Sequence, residues 1–195
     1  MEIAFLLDAS TKSNDAWQYI LNFVNSIARN YNINQNCVRV VVIRYADRAD
    51  APFQLNRYGD INSLQQAIGS LTLTSGGSNL YTGLQLLRQV FAPGAVRSGA
   101  TLVAGILTNR LTCSSQITAE ANYLRTSMRV NFVGISVSSA STCLGQVVSP
   151  NRNFEVPDYR LLSTFVSQVS PYICSIAVAP DLQYWGECSV RKMYR

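Results

Sequence analysis

The sequence predicts an α/β fold, a doubly wound and mostly parallel sheet of six strands with helices on both faces. Two observations indicate it. Four near-continuous apolar segments are rich in Val, Ile, Leu or Phe, as in strands buried on both faces. Between them lie patterns with helical periodicity, so strands and helices alternate along the chain. At 195 residues, the chain is long enough for one domain with a full core and too short for two ordinary ones.

The predicted strands follow the apolar segments. The four buried strands cover residues 3–7, 38–45, 101–107 and 130–137. Two shorter segments complete the sheet. Residues 52–56 alternate in polarity and begin with a proline, which suits an edge strand. Residues 154–156 are predicted to form the last strand.

The first predicted helix has the clearest pattern, because its apolar residues recur every three or four positions from Trp17 to Tyr31. Ser13 or Asn14 is placed to cap it. Further helices are predicted at residues 60–70, 79–91, 116–126 and 158–172. The periodicity stops after Cys174, so we expect a domain at 1–174 and a C-terminal tail or linker at 175–195.

Composition excludes several classes of function. The net charge is +5, but the 16 basic residues are scattered along the sequence, which argues against nucleic-acid binding. Acidic glycans or acidic matrix proteins fit this charge better. No apolar run approaches the roughly 20 residues that span a bilayer, so we expect no membrane insertion. The N-terminus shows no signal peptide, because the first strand follows directly after Glu2.

Five cysteines occur without the two-residue spacing of a zinc knuckle, and the chain has no histidine. Together with many Ser, Asn and Tyr residues, they favour a secreted, extracellular protein with two disulfides and one cysteine left over. Buried reduced cysteines in a cytosolic protein are the alternative.

Three polar stretches are expected to meet at the carboxyl edge of the sheet, where open α/β folds bind their ligands. They are "DASTK" from Asp8, "GGSNLYTG" from Gly76 and "TNR" from Thr108. Their order and spacing resemble a von Willebrand factor type A domain, and the resemblance covers residues 2 to about 174. It implies the same α/β fold. In that family the stretches read Asp-x-Ser-x-Ser, a Gly-Gly loop with a Thr, and Thr-Asp-Gly. Together they bind Mg²⁺ or Mn²⁺, and a carboxylate from the partner protein completes the coordination of the ion.

This chain departs from the family's metal site at several positions. Asp8 and Ser10 match, but Lys12 replaces the second serine, Asn109 replaces the last aspartate, and Arg110 follows in place of glycine. Mg²⁺ requires near-ideal octahedral oxygen coordination, and a nearby cation repels it.

The threonine ligand of the family is also missing. Leu80 falls at about its position, and Ser78 and Asn79 can substitute only if the loop shifts. We therefore interpret the site as a degenerate metal site and expect no cofactor, with Mg²⁺ or Mn²⁺ as the ions that it would take if it bound one.

Asp8 ends a buried strand, and a buried carboxylate without a partner is costly. Lys12 or Arg110 could supply the counter-charge, and the motif position favours Lys12. Lys12 pointing to solvent is the alternative. The sequence thus raises the hypothesis that a side chain replaces the ion.

Other chemistry is indicated only weakly. A Gly-Gly pair before a helix can hold a phosphate, but no phosphate-loop lysine follows it. Without histidine, a nucleophile would need a base such as Lys12 beside Ser10, on one short turn with no evident oxyanion hole. Residues 184–190 faintly resemble the start of a thrombospondin type 1 repeat, but the next cysteine is absent. We expect no enzyme.

Two disulfides are predicted. Cys113 and Cys143 follow strands that should be neighbours, and both leave from the carboxyl edge. Cys37 opens the second strand at the opposite edge, where the last helix delivers Cys174. Cys188 then remains for a partner outside this chain.

We interpret the chain as a non-enzymatic extracellular adhesion or matrix module. It is expected to bind a protein, such as a collagen or another matrix component, or an acidic matrix, through a metal-independent surface. The alternative is a structural subunit that associates with copies of itself in a filament or layer.

Overall fold

The computed structural model describes residues 1–10, 13–74, 76–109, 111–138, 141–148 and 151–177. The strands are β1 (Glu2–Asp8), β2 (Arg39–Tyr45), β3 (Ala49–Asp50), β4 (Leu102–Thr108), β5 (Asn131–Val137) and β6 (Asn153–Val156). The helices are α1 (Asn14–Ala28), α2 (Ile61–Gly69), α3 (Leu80–Val90), α4 (Ser115–Thr126), α5 (Thr142–Val147) and α6 (Leu162–Ala177), and a 3-10 turn at Tyr159–Leu161 precedes α6.

The sheet has six strands in the order β3-β2-β1-β4-β5-β6. All neighbours are parallel except β2 and β3. The strand order reverses between β2 and β4, on either side of the central β1. This is the predicted doubly wound α/β fold, and it places the loops after β1 and β4 side by side at the carboxyl edge.

Helices cover both faces of the sheet, which explains why the central strands are apolar throughout. On β1, Ile3, Phe5 and Leu7 belong to the core under α1, α2 and α6. Ala4 and Leu6 belong to the core under α3, α4 and α5. No helix among the described residues is long and apolar enough to span a membrane.

The predicted edge strand at 52–56 is wrong. The edge is formed by β3, whose Asp50 accepts hydrogen bonds from the guanidinium of Arg44 on β2. Phe53 and Leu55 are both buried, but they belong to the cores on opposite faces of the sheet. Their alternation therefore reflects a loop that folds over the sheet edge and not a strand. The short helix α5 was not predicted, and α6 continues three residues past the predicted domain boundary at 174.

A disulfide joins Cys113 and Cys143, the pair that the sequence predicts, and links the loop after β4 to α5. The predicted bridge between Cys37 and Cys174 is wrong, because Cys174 is a free thiol whereas Cys37 is disulfide-bonded. Cys188 lies outside the described residues.

Helix α6 is held against the end of α1. The amide of Asn30 donates to the Ser170 hydroxyl at 3.0 Å, and the phenol of Tyr31 donates to the Ser170 carbonyl at 3.0 Å. Both bonds lie one turn before Cys174.

A buried ion cluster lies at the amino edge of the sheet. Glu2 is fully buried, and its carboxylate accepts hydrogen bonds from the guanidinium groups of Arg39 and Arg97, each at 2.8 Å. Burial opposes ionisation of Glu2, but the two guanidinium groups outweigh it and lower its pKa. The cluster ties β1 to β2 and to the loop before β4.

Candidate functional site

The centre of the candidate site is the carboxylate of Asp8, which ends β1 at the carboxyl edge. Only 2% of this residue is exposed. Strand β1 lies between β2 and β4, so the side chain at its end is surrounded by the loops of both neighbours. A carboxylate buried this far needs hydrogen-bond donors or a cation around it.

Four hydrogen bonds reach the two oxygens of Asp8. The backbone N–H of Ser10 donates to Oδ1 at 3.0 Å, and the Ser10 hydroxyl donates to the same oxygen. On the other side, Oδ2 accepts from the hydroxyl of Ser78 at 2.7 Å and from that of Thr108 at 3.3 Å. Both oxygens are therefore occupied by donors from three different loops or strands.

Thr108 opens the third predicted stretch, but its contact with Asp8 was not predicted. It is fully buried and ends β4, directly beside the end of β1. The signal was present in the sequence, since a threonine closes an otherwise apolar strand next to Asn109.

Beneath the site, Tyr45 is fully buried, and its phenol donates to the carbonyl of Leu107 at 3.4 Å. Burial first, and then the charge of Asp8, raise the pKa of Tyr45.

The loop before α3 delivers Ser78 to the site. Gly76 has a φ of 124°, which favours glycine, and a Cβ there would lie 2.3 Å from a carboxylate oxygen of Asp47. The same carboxylate accepts from the N–H of Gly77 at 2.8 Å, and the N–H of Asn79 donates to the carbonyl of Ala46 at 3.1 Å. These bonds hold the loop against the end of β2.

The same bonds decide two sequence-based alternatives. The hydroxyl of Ser78 reaches Asp8 at 2.7 Å, so of the two proposed substitutes for the threonine it is the one beside the carboxylate. Asn79 instead begins α3 as its N-cap, without a side-chain capping bond. The N–H groups of Gly77 and Asn79 already have protein acceptors, so this loop is not arranged to hold a phosphate.

An open cleft of about 720 Å³ lies over the site. Its floor includes Ser10, Ser78 and Asn109, so three of the predicted site residues meet there above Asp8. One wall is the start of α1, and the other is the 3-10 turn before α6. The lining residues from these two walls are Ser13, Asp15, Ala16, Tyr19, Asp158, Tyr159 and Arg160. Lys12 and Arg110 lie outside the described residues.

The cleft walls provide hydroxyl groups, aromatic surface and one ion pair. Tyr19 is 40% exposed. The guanidinium of Arg160 donates to both carboxylate oxygens of Asp158, at 2.9 and 3.2 Å. These bonds lower the pKa of Asp158 and raise that of Arg160, so both stay charged at neutral pH. Such a surface suits polar and aromatic contacts with a macromolecule.

The described residues fit a Mg²⁺ site poorly. Asn109 offers a neutral amide where the metal site of the resembled family has a carboxylate. In the described part of the chain, no three Cys, Asp or Glu side chains are grouped to hold a metal ion. A divalent ion at this position would therefore lack part of the negative charge of the family's site.

Comparison with known proteins gives consistent matches. The sequence model of the family described as "von Willebrand factor type A domain" matches residues 2–168. The chain is 24% identical over 186 residues to von Willebrand factor A domain-containing protein 2 of Xenopus laevis, covering 92% of this chain and 23% of the relative. It is 26% identical over 187 residues to the human collagen alpha-6(VI) chain, covering 93% of this chain and 8% of the relative.

Among solved structures, proximal thread matrix protein 1 from the mussel byssus superposes with a TM-score of 0.79 at 26% identity. The match covers 89% of this chain and 46% of that one. Another structure of the same byssus protein, described as having a zinc-occupied MIDAS motif, matches with a TM-score of 0.80 at 25% identity. This chain spans less than half of the length of each of these proteins.

Proposed function

The chain belongs to the von Willebrand factor type A domain family, and from that premise we propose that it is a non-enzymatic extracellular matrix module that binds a matrix protein without a metal ion. The ligand surface is the cleft at the carboxyl edge. Relatives in this family include collagen VI chains and matrilin-3, which are matrix proteins. A collagen or another matrix protein is therefore the proposed class of partner.

The observation that supports metal independence most is the hydrogen bonding of Asp8. Its carboxylate is held by Ser10, Ser78 and Thr108 in the arrangement described above. Both oxygens of this buried carboxylate therefore have hydrogen-bond donors without a metal ion.

Lys12 is proposed as a cation beside the carboxylate of Asp8. It lies outside the described residues, so its role rests on the sequence, where it stands at the second serine of the family's motif. We propose that its ammonium lies near Asp8, where it repels a divalent ion.

The proposed role of the cleft in ligand binding is tested by removing an aromatic side chain from its wall. Tyr19→Ala removes an exposed ring from the cleft, and Tyr123→Ala removes a ring of similar exposure (45%) from α4, outside it. With immobilised collagen VI as the probe, we expect Tyr19→Ala to weaken binding about tenfold, as for an aromatic contact in an interface. Tyr123→Ala should bind like the wild type, and EDTA at constant ionic strength should change neither result. Equal binding by both variants, or loss of binding in EDTA, would contradict the proposal.

Self-assembly is the second candidate function, and the likeness to a byssus thread matrix protein favours it. A structural subunit should sediment as an oligomer at micromolar concentration. A module that binds a separate ligand should sediment as a monomer, so sedimentation velocity separates the two candidates.

A further inference from the structure

Arginines are concentrated at the amino edge of the sheet, opposite the cleft. Helices α1 and α4 start at the carboxyl edge and end at this one, and the loops before β4, β5 and β6 also lie here. The arginine edge, as we call this surface, consists of Arg29, Arg57, Arg125, Arg129 and Arg152 around Arg97, whose own guanidinium is engaged with Glu2 and with backbone carbonyls.

Hydrogen bonds place the first members of the arginine edge next to one another. The guanidinium of Arg97 donates to the carbonyl of Gln35 at 3.1 Å. The side-chain amide of Gln35 donates in turn to the carbonyl of Asn56 at 2.8 Å, directly before Arg57. Arg57 is exposed and lies with its guanidinium 5.9 Å from the ring centre of Tyr58.

The surface continues on the other side of Arg97. A shallow cleft of about 550 Å³ extends from Arg97 to Met128, the neighbour of Arg129. The amide of Asn131 donates to the carbonyl of Arg129 at 3.4 Å, and its oxygen accepts from Arg152 at 3.2 Å. These contacts connect the neighbourhoods of Arg57, Arg97, Arg129 and Arg152 one after another along the edge.

Few carboxylates balance these charges. Among the described residues, two lie at this edge. Glu2 is fully buried between Arg39 and Arg97, and Asp60 caps α2 by accepting from the N–H and hydroxyl of Ser63. The other described aspartates lie at or near the carboxyl edge. The fold thus separates charge between its two edges, although the sequence shows no basic run.

The chemistry of the side chains indicates the kind of ligand. Every basic side chain in the described part of the chain is an arginine, since the two lysines are Lys12 and Lys192. A guanidinium group binds planar or tetrahedral oxyanions through two parallel hydrogen bonds. A line of such groups matches a linear polymer with closely spaced oxyanions.

Two other occupants fit less well. At the carboxyl edge of a second copy, Asp50 and Asp158 are already paired with Arg44 and Arg160, and the exposed carboxylates of Asp15 and Glu155 are fewer than the arginines they would face. A single-stranded nucleic acid would need free aromatic faces for base stacking. The exposed tyrosines of the described residues are Tyr19, on the cleft wall, and Tyr123, in the last turn of α4, whose ring is already covered by the guanidinium of Arg88 at 5.2 Å.

We propose that the arginine edge binds a sulfated polysaccharide of the extracellular matrix. This ligand is additional to the protein ligand of the cleft, and the proposal rests on the proposed function only for its extracellular setting. The two surfaces lie on opposite edges of the sheet, so one module can hold a protein and a polysaccharide at the same time.

The proposal is tested by removing single arginines without disturbing the fold. Arg129 has a φ of 57°, so Arg129→Gly removes the charge and places the residue that this backbone prefers. Arg57→Gln removes an exposed charge from the other end of the line. Arg48→Gln is the matched control, because Arg48 is exposed and precedes β3 at the carboxyl edge.

The measured quantity is the Kd for a heparin oligosaccharide, determined at several salt concentrations. We expect Arg129→Gly and Arg57→Gln each to weaken binding roughly fivefold and to reduce the slope of log Kd against log salt by just under one, since each loses one counterion-releasing contact. Arg48→Gln should keep the wild-type affinity and slope.

Three results would overturn the proposal. In the first, Arg48→Gln weakens binding as much as the two edge variants, which makes the attraction a property of net charge alone. In the second, polyglutamate competes as well as heparin, which assigns the surface to an acidic protein. In the third, the wild type forms a concentration-dependent oligomer that Arg129→Gly dissociates, which assigns it to a second copy. None of these results bears on the collagen binding of Tyr19→Ala. The proposed function of the cleft is therefore tested independently of the arginine edge.

Discussion

Asp8 is the side chain on which the account of the site depends most. In its family the corresponding aspartate belongs to a metal site, whereas here hydroxyl and amide groups of this chain surround it. Hydrogen bonds to a charged acceptor are stronger than those between neutral groups, and a buried carboxylate that loses donors is destabilised. Each donor should therefore contribute measurably to the stability of the domain.

Thr108→Val tests this contribution, because valine has nearly the shape of threonine without the hydroxyl. We expect the free energy of unfolding to fall by about 1–2 kcal/mol, since Oδ2 of Asp8 keeps only Ser78 among the described donors to that oxygen. Thr118→Val on α4 is the control, since its hydroxyl bonds only to carbonyls of its own helix turn and cap. Equal stabilities of the two variants in urea denaturation would show that Asp8 does not depend on Thr108.

Glu2 gives a second expectation, for the dependence of stability on pH. Its pKa in the folded chain is lower than the ordinary 4.5, so the folded chain binds this proton less tightly than the unfolded chain. Its contribution to stability is complete above pH 4.5 and is lost as the pH falls through the lower folded pKa. Glu2→Gln should reduce the loss of stability at acid pH. At neutral pH it should lower the free energy of unfolding by about 3–5 kcal/mol, because Arg39 and Arg97 lose a buried partner. Glu155→Gln, at an exposed position, should keep the wild-type dependence of stability on pH.

At the level of helices and strands, the four central strands were predicted to within one residue at each end. They are specified by apolar runs that only a sheet covered on both faces can bury. Strand β3 and helix α5 were not predicted, because each is short and depends on partners distant in sequence or on neighbouring loops. Asp50 is held by Arg44, and Cys143 in α5 is bonded to Cys113.

The candidate site was predictable to the extent that it follows motifs. Asp8, Ser10 and Asn109 were placed correctly at the carboxyl edge by their positions after apolar strands. The contact of Ser78 depends on the loop at Gly76, whose backbone follows from its bonds to Asp47 and not from spacing. Local sequence does not contain that information.

The disulfide between α5 and the loop after β4 gives a prediction at this level. Removing it with Cys113→Ala and Cys143→Ala should lower stability by roughly 3–4 kcal/mol, because the bond closes a loop of 30 residues in the unfolded chain. Thermal melting of the double variant measures this. Cys174→Ala, which removes a free thiol, should melt close to the wild type. A double variant as stable as Cys174→Ala would mean that α5 is held by packing alone.

As a whole, the molecule presents two different surfaces on opposite edges of one sheet. The carboxyl edge has a cleft with hydroxyl and aromatic groups above Asp8. The amino edge has exposed arginines above the buried cluster of Glu2. Both surfaces are held by charges that are satisfied within the chain, so the central claim is that the domain is complete without a metal ion.

Thermal melting with and without millimolar Mg²⁺ tests that claim most directly, on the wild type and on the double variant Lys12→Ser/Asn109→Asp. A ligand that binds only the folded state stabilises it by about 2.7 kcal/mol at a hundred times its Kd. If the domain needs no metal ion, Mg²⁺ should leave the melting temperature of the wild type unchanged. It should raise the melting temperature of the double variant, in which the serine and aspartate of the family's motif are restored. A wild-type chain that is itself stabilised by Mg²⁺ would contradict it.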